Sequence, residues 1–248
     1  MRATGRFARA FSFYRRFDYH CSAVPRINSQ RIFFKQFVRN FRSTGALAPS
    51  SRFLASSLAR FVREHRYVAG QKPRRILEVG PGTGSVTRAI IKSLGPNDHL
   101  TLVEINRAFV KHLKLRLRVD ELFTGVKDRV TVIHGRFEEL ETDMPFDVIV
   151  SGLPLNNFTP KEVQEILGTY RRMLGRDGVL SFFEYIAVRR AKHIFANRAE
   201  RQRLREVGRI MKETLKPVRI DRDMIVANLP PAWVHHVSWR KEKPTLDS

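Results

Sequence analysis

Five residues of this chain have the types and the spacing to bind a small charged molecule. They are two acids and three glycines, namely Glu78, Gly80, Gly82, Gly84 and Glu104. Glycines have no Cβ, so a ligand can approach their backbone closely. The free N–H groups of a helix that begins near the last glycine can bind a carboxylate. One acid can then hold an ammonium group, and the other can accept hydrogen bonds from a pair of hydroxyls.

The sequence around these residues predicts the elements that position them. Ile76, Leu77 and Val79 form an apolar strand of the kind that is buried on both faces, and Leu100–Val103 form a second one that ends at Glu104. A strand, a glycine turn that opens a helix, and a second strand that ends in a carboxylate make the mononucleotide-binding half of a doubly wound sheet. A tight turn without a ligand is the alternative, and the position of the second acid disfavours it.

The rest of the chain alternates between β and α patterns. Strands are predicted at 75–80, 99–104, 129–134, 146–151 and 178–185. Helices are predicted at 84–94, 106–118, 160–174 and 196–214. Two final strands, at 216–227 and 233–239, are expected to form a β-hairpin. The sequence therefore predicts an α/β fold with a sheet of seven strands.

The amino-acid composition limits the kinds of functional site that the chain can contain. The only cysteine is Cys21, which excludes an internal disulfide and a cysteine metal cluster. The histidines show no metal-ligand spacing, and His235 and His236 would point to opposite faces of a strand, so no metal site is predicted. No apolar run has transmembrane length, and the N-terminus has no continuous signal-peptide core. We therefore expect a cytoplasmic protein that does not span a membrane.

The formal net charge is +22, and it is unevenly distributed. Residues 1–75 hold 17 basic and two acidic side chains, a net charge of +15. Residues 76–185 have a net charge of −1, and residues 186–248 have +8. The predicted binding half is thus nearly neutral, while the flanking parts are basic. This pattern predicts a polyanionic partner, either a nucleic acid or an anionic membrane surface.

The N-terminal third divides into two parts. Residues 1–28 are basic, and disorder is the default expectation for them. The stretch 29–42, SQRIFFKQFVRNFR, has helical periodicity, with an apolar face of Phe34, Phe37, Val38 and Phe41 opposite Arg31, Lys35, Arg39 and Arg42. This pattern is typical of an interfacial membrane helix, and packing on the domain core is the alternative. Gly45 and Pro49 should end this helix, and Ser50 or Ser51 should cap the next, Phe53–His65. The expected organisation is 1–28, 29–66, a domain at 67–242 and a tail at 243–248.

Four motifs resemble those of the bacterial phospholipid N-methyltransferases of the soluble, rhizobial type. They are FRSTGALAPSSRFLA (41–55), ILEVGPGTGSVTRAI (76–90), LTLVEIN (100–106) and VSGLPLNNF (150–158). The glycine spelling is shared with many S-adenosylmethionine (SAM) methyltransferases. The resemblance, over about residues 30–240, implies a class I methyltransferase sheet and SAM as methyl donor. It also implies N-methylation of phosphatidylethanolamine and its methylated derivatives towards phosphatidylcholine, by an enzyme attached peripherally to the inner face of the membrane through its N-terminal helix.

The resemblance and the sheet geometry together indicate the site residues. SAM would contact Glu78, Gly80, Pro81, Gly82, Gly84, Glu104, Ile105, Arg136, Phe137 and Ser151. Many class I enzymes have an acid where this chain has Arg136, so the adenine contact is expected from the backbone near Phe137 or from Glu138. The acceptor site would be formed by Ser151, Gly152, Leu153, Pro154, Leu155 and Tyr185. Candidate bases are Asp147, His134, Glu184 and Tyr185, and Phe158 or Tyr185 could hold a methylated cation by cation–π attraction.

Two other functions fit parts of the sequence. RNA adenine dimethyltransferases share the Gly-Pro-Gly-x-Gly spelling, and a charge of +22 suits RNA. Their acceptor loop normally reads Asn-Leu-Pro-Tyr, in which the aromatic residue stacks on a flipped adenine. Here the loop is Gly152-Leu-Pro-Leu155, without that aromatic residue. A non-catalytic SAM-fold protein that coats membranes or nucleic acid is the third interpretation, which the intact glycine motif and Glu104 disfavour.

Overall fold

The computed structural model describes residues 49–64, 72–186, 198–228 and 231–239. All of them belong to the unit Phe41–Ser248. The basic segment 1–28, the membrane helix 29–42 and the tail 243–248 lie outside the described residues, so those interpretations stay predictions.

A seven-stranded sheet forms the centre of this structure, with the strand order β3-β2-β1-β4-β5-β7-β6. The strands are β1 (Arg75–Val79), β2 (His99–Glu104), β3 (Val130–His134), β4 (Phe146–Ser151), β5 (Leu174–Tyr185), β6 (Arg219–Ile225) and β7 (Ala232–Val237). Strands β1 to β5 pair in parallel, and β7 runs antiparallel between β5 and β6. The predicted α/β sheet with its closing hairpin is therefore confirmed. Because β2, β1, β4 and β5 are neighbours, the segments that follow them meet at one edge, here called the carboxyl edge.

Helices cover both faces of the sheet. They are α1 (Pro49–Leu58), α2 (Arg60–Glu64), α3 (Ser85–Ile91), α4 (Arg107–Val119), α5 (Glu121–Thr124), α6 (Pro160–Met173) and α7 (Arg198–Leu215). The core on one face contains Ile166 of α6 and Val207 of α7. The core on the other face contains Leu58 of α1 and Leu113 of α4. Alternate residues of the buried strands supply both cores, for example Leu77 and Ile76 of β1.

Three predicted element ends were wrong. The helix that was expected to begin at Phe53, after a cap at Ser50 or Ser51, begins at Pro49, because the first turn of a helix tolerates a residue without an N–H donor. The single helix predicted at Phe53–His65 is two helices, α1 and α2. Strand β5 begins at Leu174 rather than at 178. Its extra residues are absorbed by an irregularity, since Leu174 pairs with Phe146 but the next pair along the strands is Val179 with Val148.

The start of α6 is capped by a side chain that directly precedes it. Asn156 and Asn157, farther upstream, lie in a short 3-10 turn. The N-cap is Thr159, whose hydroxyl accepts a hydrogen bond from the backbone N–H of Glu162, while the Glu162 side chain binds the Thr159 backbone. This reciprocal capping box satisfies two N–H groups that a helix start leaves free. The loop before α6 is therefore not needed for capping and can serve another purpose.

A partly buried polar network attaches α1 and α2 to the C-terminal hairpin. Ser57 donates a hydrogen bond of 2.6 Å to Asp223, and Arg60 binds both Asp221 and Asp223 at 2.6 Å. His236 contacts Asp223 at 3.4 Å. Burial, with the nearby Arg60 cation, lowers the pKa of His236 to about 4, so this ring is neutral at pH 7. Its neighbour His235 lies on the opposite face, as the sequence predicted.

Candidate active site

The turn after β1 has the backbone shape that only glycine adopts easily. Gly80, Gly82 and Gly84 have φ angles of 69°, 56° and 83°. A Cβ on Gly82 would meet no atom within 4 Å, so this residue borders open space at the carboxyl edge. Gly84 is the N-cap of α3, and its carbonyl receives the first hydrogen bond of that helix from Arg88. The turn therefore borders unoccupied space beside the end of β1, while the N–H groups of its three glycines donate hydrogen bonds within the protein.

Glu104, at the end of β2, is joined to this turn. One carboxylate oxygen accepts a hydrogen bond of 3.0 Å from the Gly82 N–H, and the other accepts one of 2.7 Å from the Asn106 N–H. The side chain is buried, and burial raises its pKa, although the backbone donors oppose that shift. Each oxygen retains a second lone pair, so the carboxylate can accept from hydroxyls of a ligand while it keeps its backbone partners. This is the arrangement expected for binding a ribose diol.

Glu78, in β1, is the more unusual of the two acids. Its side chain is fully buried, and no group of the described residues forms a hydrogen bond with its Oε2 atom. Burial raises its pKa to about 8, and the charge of Glu104 contributes, although the Thr87 hydroxyl and amide lie close enough to oppose the shift. A buried carboxyl without a cationic partner is costly when it is ionised. An ammonium group from a ligand would supply that partner.

Sequence reasoning missed Arg116, which supports the glycine turn from behind. Its guanidinium donates hydrogen bonds of 3.0 and 3.3 Å to the carbonyls of Thr83 and Gly84. It also binds Asp120 at 2.7 Å and lies 3.9 Å from the centroid of the Phe123 ring. The only signal in the sequence is one more arginine in a basic helix, so the contact could not be recognised from its spacing.

The loop after β4 packs directly on the same turn. The Gly152 N–H donates a hydrogen bond of 2.8 Å to the Val79 carbonyl, and a Cβ on Gly152 would lie 2.5 Å from the Gly80 carbonyl oxygen. Such a distance is shorter than real Cβ contacts, so only glycine fits at this position. The Leu153 side chain lies over Gly80, 3.1 Å from the place of its missing Cβ. The structure therefore brings the predicted acceptor loop and the predicted cofactor turn together.

Ser151 holds this loop in place from the buried side. Its hydroxyl lies 2.7 Å from the Tyr170 hydroxyl and accepts a hydrogen bond of 3.2 Å from the Leu153 N–H. The Tyr170 ring stacks on Phe137 with centroids 4.9 Å apart. Ser151 is fully buried, and its hydroxyl shapes the loop through these bonds. Its predicted contact with the methyl donor or acceptor stays a prediction.

A second missed arginine fixes the far end of the loop. Arg203 of α7 donates hydrogen bonds of 2.5 Å to the Phe158 carbonyl and 3.1 Å to the Asn156 carbonyl. Glu200 binds the same guanidinium at 2.6 Å. Because Arg203 is 45 residues away from Phe158, no local pattern pointed to this contact. The loop is thus held between the glycine turn at one end and α7 at the other.

A small cavity lies where this loop meets the end of β5. It is lined by Pro154, Leu155, Asn156, Asn157, Phe183, Glu184 and Tyr185. The Tyr185 ring packs edge-on against Phe183, and burial raises the pKa of its hydroxyl. The Glu184 carboxylate lies 3.6 Å from the imidazole of the buried His235. An acid and an aromatic ring beside an apolar wall suit a cationic or amine group.

The geometry excludes Asp147 as the base. It lies near the start of β4, at the edge opposite the site, where it accepts a hydrogen bond of 2.7 Å from the Arg75 N–H. His134 is exposed at the end of β3, beside Glu104 in the sheet register, and contacts the Ile105 carbonyl at 3.2 Å. Its role as a base stays a prediction. Glu184 and Tyr185 lie beside the cavity.

The remaining residues that were predicted to contact the cofactor differ in how exposed their side chains are. Ile105 is half exposed directly after Glu104, where an apolar side chain can cover a flat ring. Pro81 closes the glycine turn, since its carbonyl accepts a hydrogen bond of 2.9 Å from the Gly84 N–H. The Phe137 side chain is buried against Tyr170, so only its backbone is available for the predicted adenine contact. Arg136 contacts Glu138 at 3.3 Å and Glu139 at 3.8 Å.

The observed groups fit SAM. Oε2 of the buried Glu78 has no hydrogen-bond partner in the part of the chain that the structure describes, Gly82 borders open space, and Glu104 can accept from a diol. In agreement, residues 76–178 match the family model of a methyltransferase domain. The chain contains a class I SAM-dependent methyltransferase domain. Within the described residues, no group of side chains could hold a metal ion, and no helix is long and apolar enough to cross a membrane.

Known proteins with different acceptors resemble this methyltransferase domain. An ornithine lipid N-methyltransferase from Singulisphaera acidiphila is 26% identical over 60% of this chain and 74% of its own length. A ubiquinone/menaquinone biosynthesis C-methyltransferase UbiE from Ectopseudomonas mendocina is 32% identical over 48% of this chain and 44% of its own. A mitochondrial ribosomal RNA small subunit methyltransferase from Arabidopsis thaliana is 30% identical over 38% of this chain and 23% of its own. The matched region thus covers less than half of the length of each of the last two proteins.

Solved structures support the fold. An O-methyltransferase from Bacillus cereus in complex with SAH superposes with a TM-score of 0.57, over 87% of this chain and 92% of that one. The sequence identity is 15%, so this likeness concerns the fold alone. The fold and the methyl donor of the methyltransferase domain are therefore established, whereas the choice of acceptor depends on the cavity and the loop.

Proposed function

We propose that this methyltransferase transfers methyl groups from SAM to the amine of phosphatidylethanolamine and its methylated derivatives, at an anionic membrane surface. The observation that carries this proposal is the loop after β4. Gly152 is packed against the glycine turn, and the aliphatic Leu155 that follows Pro154 is only 1% exposed. A buried leucine gives no ring on which a flipped adenine could stack. The loop therefore favours an amine acceptor over a nucleobase.

The cavity at the end of this loop supports the same acceptor class. Glu184 can attract a primary ammonium group, and Tyr185 and Phe183 can contact the methylated cation that forms. SAM supplies a sulfonium methyl group that needs no further activation. The chain has to hold the acceptor nitrogen in line with that methyl group after the ammonium group has lost a proton. These residues can contribute by aligning the acceptor nitrogen through the fixed loop and by excluding water.

The similarity to an ornithine lipid N-methyltransferase supports a lipid amine as acceptor, because both lipids present a primary amine beside a polar head group and acyl chains. The basic segment 1–28 and the amphipathic stretch 29–42 would attach the enzyme to anionic lipid. The second candidate is RNA adenine N6-methylation, which is supported by the net charge of +22 and by the similarity to a ribosomal RNA methyltransferase.

One experiment separates these acceptors. The full chain is incubated with methyl-labelled SAM and, in separate reactions, with phosphatidylethanolamine vesicles, ornithine-lipid vesicles or ribosomal RNA. We expect label in mono-, di- and trimethylated phosphatidylethanolamine. Label in adenine and none in lipid would support the RNA function instead. Label only in ornithine lipid would keep the lipid class and correct the substrate.

A further inference from the structure

A row of side chains on the C-terminal hairpin begins at Glu184, which lines the acceptor cavity. In the sheet register, Glu184 of β5 pairs with Trp233 of β7, and Trp233 pairs with Met224 of β6. Directly paired residues point to the same face of a sheet, so the three side chains form one row from the cavity to the outer strand. The end of β6 lies at the carboxyl edge, because β6 runs parallel to β5.

The outer part of this row is apolar and exposed. Met224 is 53% exposed and Val226, in the turn after β6, is 67% exposed. Trp233 is partly exposed, and the Arg222 guanidinium lies 3.9 Å from the centroid of its ring. We call Met224, Val226 and Trp233 the apolar rim. Exposed apolar side chains at an outer strand are a liability for a protein that meets only water.

The charged side chain that β6 places on the same face as the rim is a cation. Arg222 shares this face, whereas Asp221 and Asp223 point to the other face, where Arg60 binds them. The face contributed by β6 thus combines apolar side chains with a cation and presents no acid. This combination complements an anionic lipid surface, in which apolar groups enter the acyl boundary and cations meet the head groups.

We propose that the apolar rim is a second membrane contact, which places the mouth of the acceptor cavity against the bilayer that contains the substrate. The inference rests on the proposed function, because the row leads from the rim to the cavity assigned to the lipid amine. A head group could then pass along Trp233 to Glu184 while the acyl chains stay in the bilayer. This contact is distinct from the predicted helix at 29–42.

The test compares two double variants of the full chain. Met224→Gln with Val226→Gln removes the rim. Leu115→Gln with Val119→Gln is the matched control, since these side chains are 54% and 71% exposed on α4, at the opposite end of the sheet. The probes are vesicles of phosphatidylethanolamine with phosphatidylglycerol, and a short-chain phosphatidylethanolamine below its micelle concentration. Binding is measured by vesicle sedimentation, and transfer by labelled SAM.

We expect the rim variant to bind vesicles at least about tenfold more weakly, because two apolar side chains no longer enter the bilayer. Its kcat on the short-chain lipid and its SAM affinity should match those of the control. Equal vesicle binding by the rim variant, the control and the wild type would overturn the inference. An equal loss of vesicle binding in both variants would also overturn it. A change of oligomeric state with unchanged vesicle binding would do the same and would identify the rim as a contact between copies of this chain.

Failure of the proposed function gives a different result. If the wild type sediments with vesicles but methylates no lipid, the function is wrong, while the comparison of the rim and control variants still decides the docking surface. Absence of vesicle binding by the wild type would overturn the docking proposal outright. Should the double variant fail to fold, Val226→Gln alone carries the test, because this residue lies in a turn and is mostly exposed.

Discussion

SAM binding to this domain should be linked to the release of a proton from Glu78. Burial, together with the charge of Glu104, raises the pKa of Glu78 from 4.5 to about 8. At pH 7 the carboxyl is therefore mostly protonated, but it has to be ionised to pair with the ammonium group of SAM. The observed affinity should thus rise about tenfold for each pH unit up to pH 8 and then level off. Close to one proton should leave the protein for each SAM bound at pH 7.

The perturbation is Glu78→Gln, which keeps the shape of the side chain and removes its titration. Calorimetry at pH 7 in two buffers with different ionisation enthalpies measures the protons released. We expect close to one for the wild type and for the control Glu213→Gln, which is exposed on α7. We expect none for Glu78→Gln, whose affinity should be weaker and nearly independent of pH between 6 and 8. A wild type that releases no proton and shows the same affinity at pH 6 and pH 8 would refute this reasoning.

The same shift determines how Glu78 affects stability. A carboxyl whose pKa is higher in the folded state than in the unfolded state favours folding below pH 4.5, and this contribution is lost as the pH rises to about 8. Across that window the free energy of unfolding attributable to Glu78 should fall by about 1.4 kcal/mol per pH unit. Glu78→Gln should flatten this dependence in denaturant titrations of the protein without SAM, and a saturating concentration of SAM should flatten it in the wild type.

Three further substitutions test the supports of the site. Gly152→Ala should lower both SAM affinity and turnover more than about tenfold, since its Cβ would lie 2.5 Å from a carbonyl oxygen of the glycine turn. The control Gly168→Ala, within α6, should change neither the SAM affinity measured by calorimetry nor the activity. Arg203→Gln should raise the KM for the acceptor with SAM affinity unchanged, because two loop carbonyls lose a charged donor, whereas Arg209→Gln should change neither. Arg116→Met should weaken SAM binding by roughly 1–3 kcal/mol in calorimetry, as the turn loses its donor to two carbonyls, and unchanged affinity would contradict its supporting role.

The individual strands and the cofactor turn were accessible from sequence because their signals are local. Ile76, Leu77 and Val79 mark a strand buried on both faces, and Glu104 follows the next strand at the expected place. The ends of elements were less accessible. A proline can end a helix or begin one, and for Pro49 only the packing of α1 on the core decides between these two positions.

The support of the site was not accessible, because it depends on residues distant in sequence. Arg116 lies 33 residues from Thr83, and Arg203 lies 45 residues from Phe158. Among the many arginines of this chain, no spacing distinguishes these two from solvated ones. Asp147 was wrong for a different reason: its type suits a base, but its position near the start of β4, which the strand predicted at 146–151 already indicates, places it at the wrong edge of the sheet.

The two buried acids connect stability with ligand choice. Glu78 and Glu104 end up close together because β1 and β2 are neighbours, and each is removed from water by the core around it. Glu104 has two backbone donors, whereas Oε2 of Glu78 has none, so the ionised form of Glu78 is the more costly of the two. A ligand with a diol needs only Glu104, and a ligand with an ammonium group needs only Glu78. SAM carries both groups and a sulfonium cation, so it satisfies both acids at once. A nucleoside without the amino acid part should therefore bind much more weakly and should release no proton.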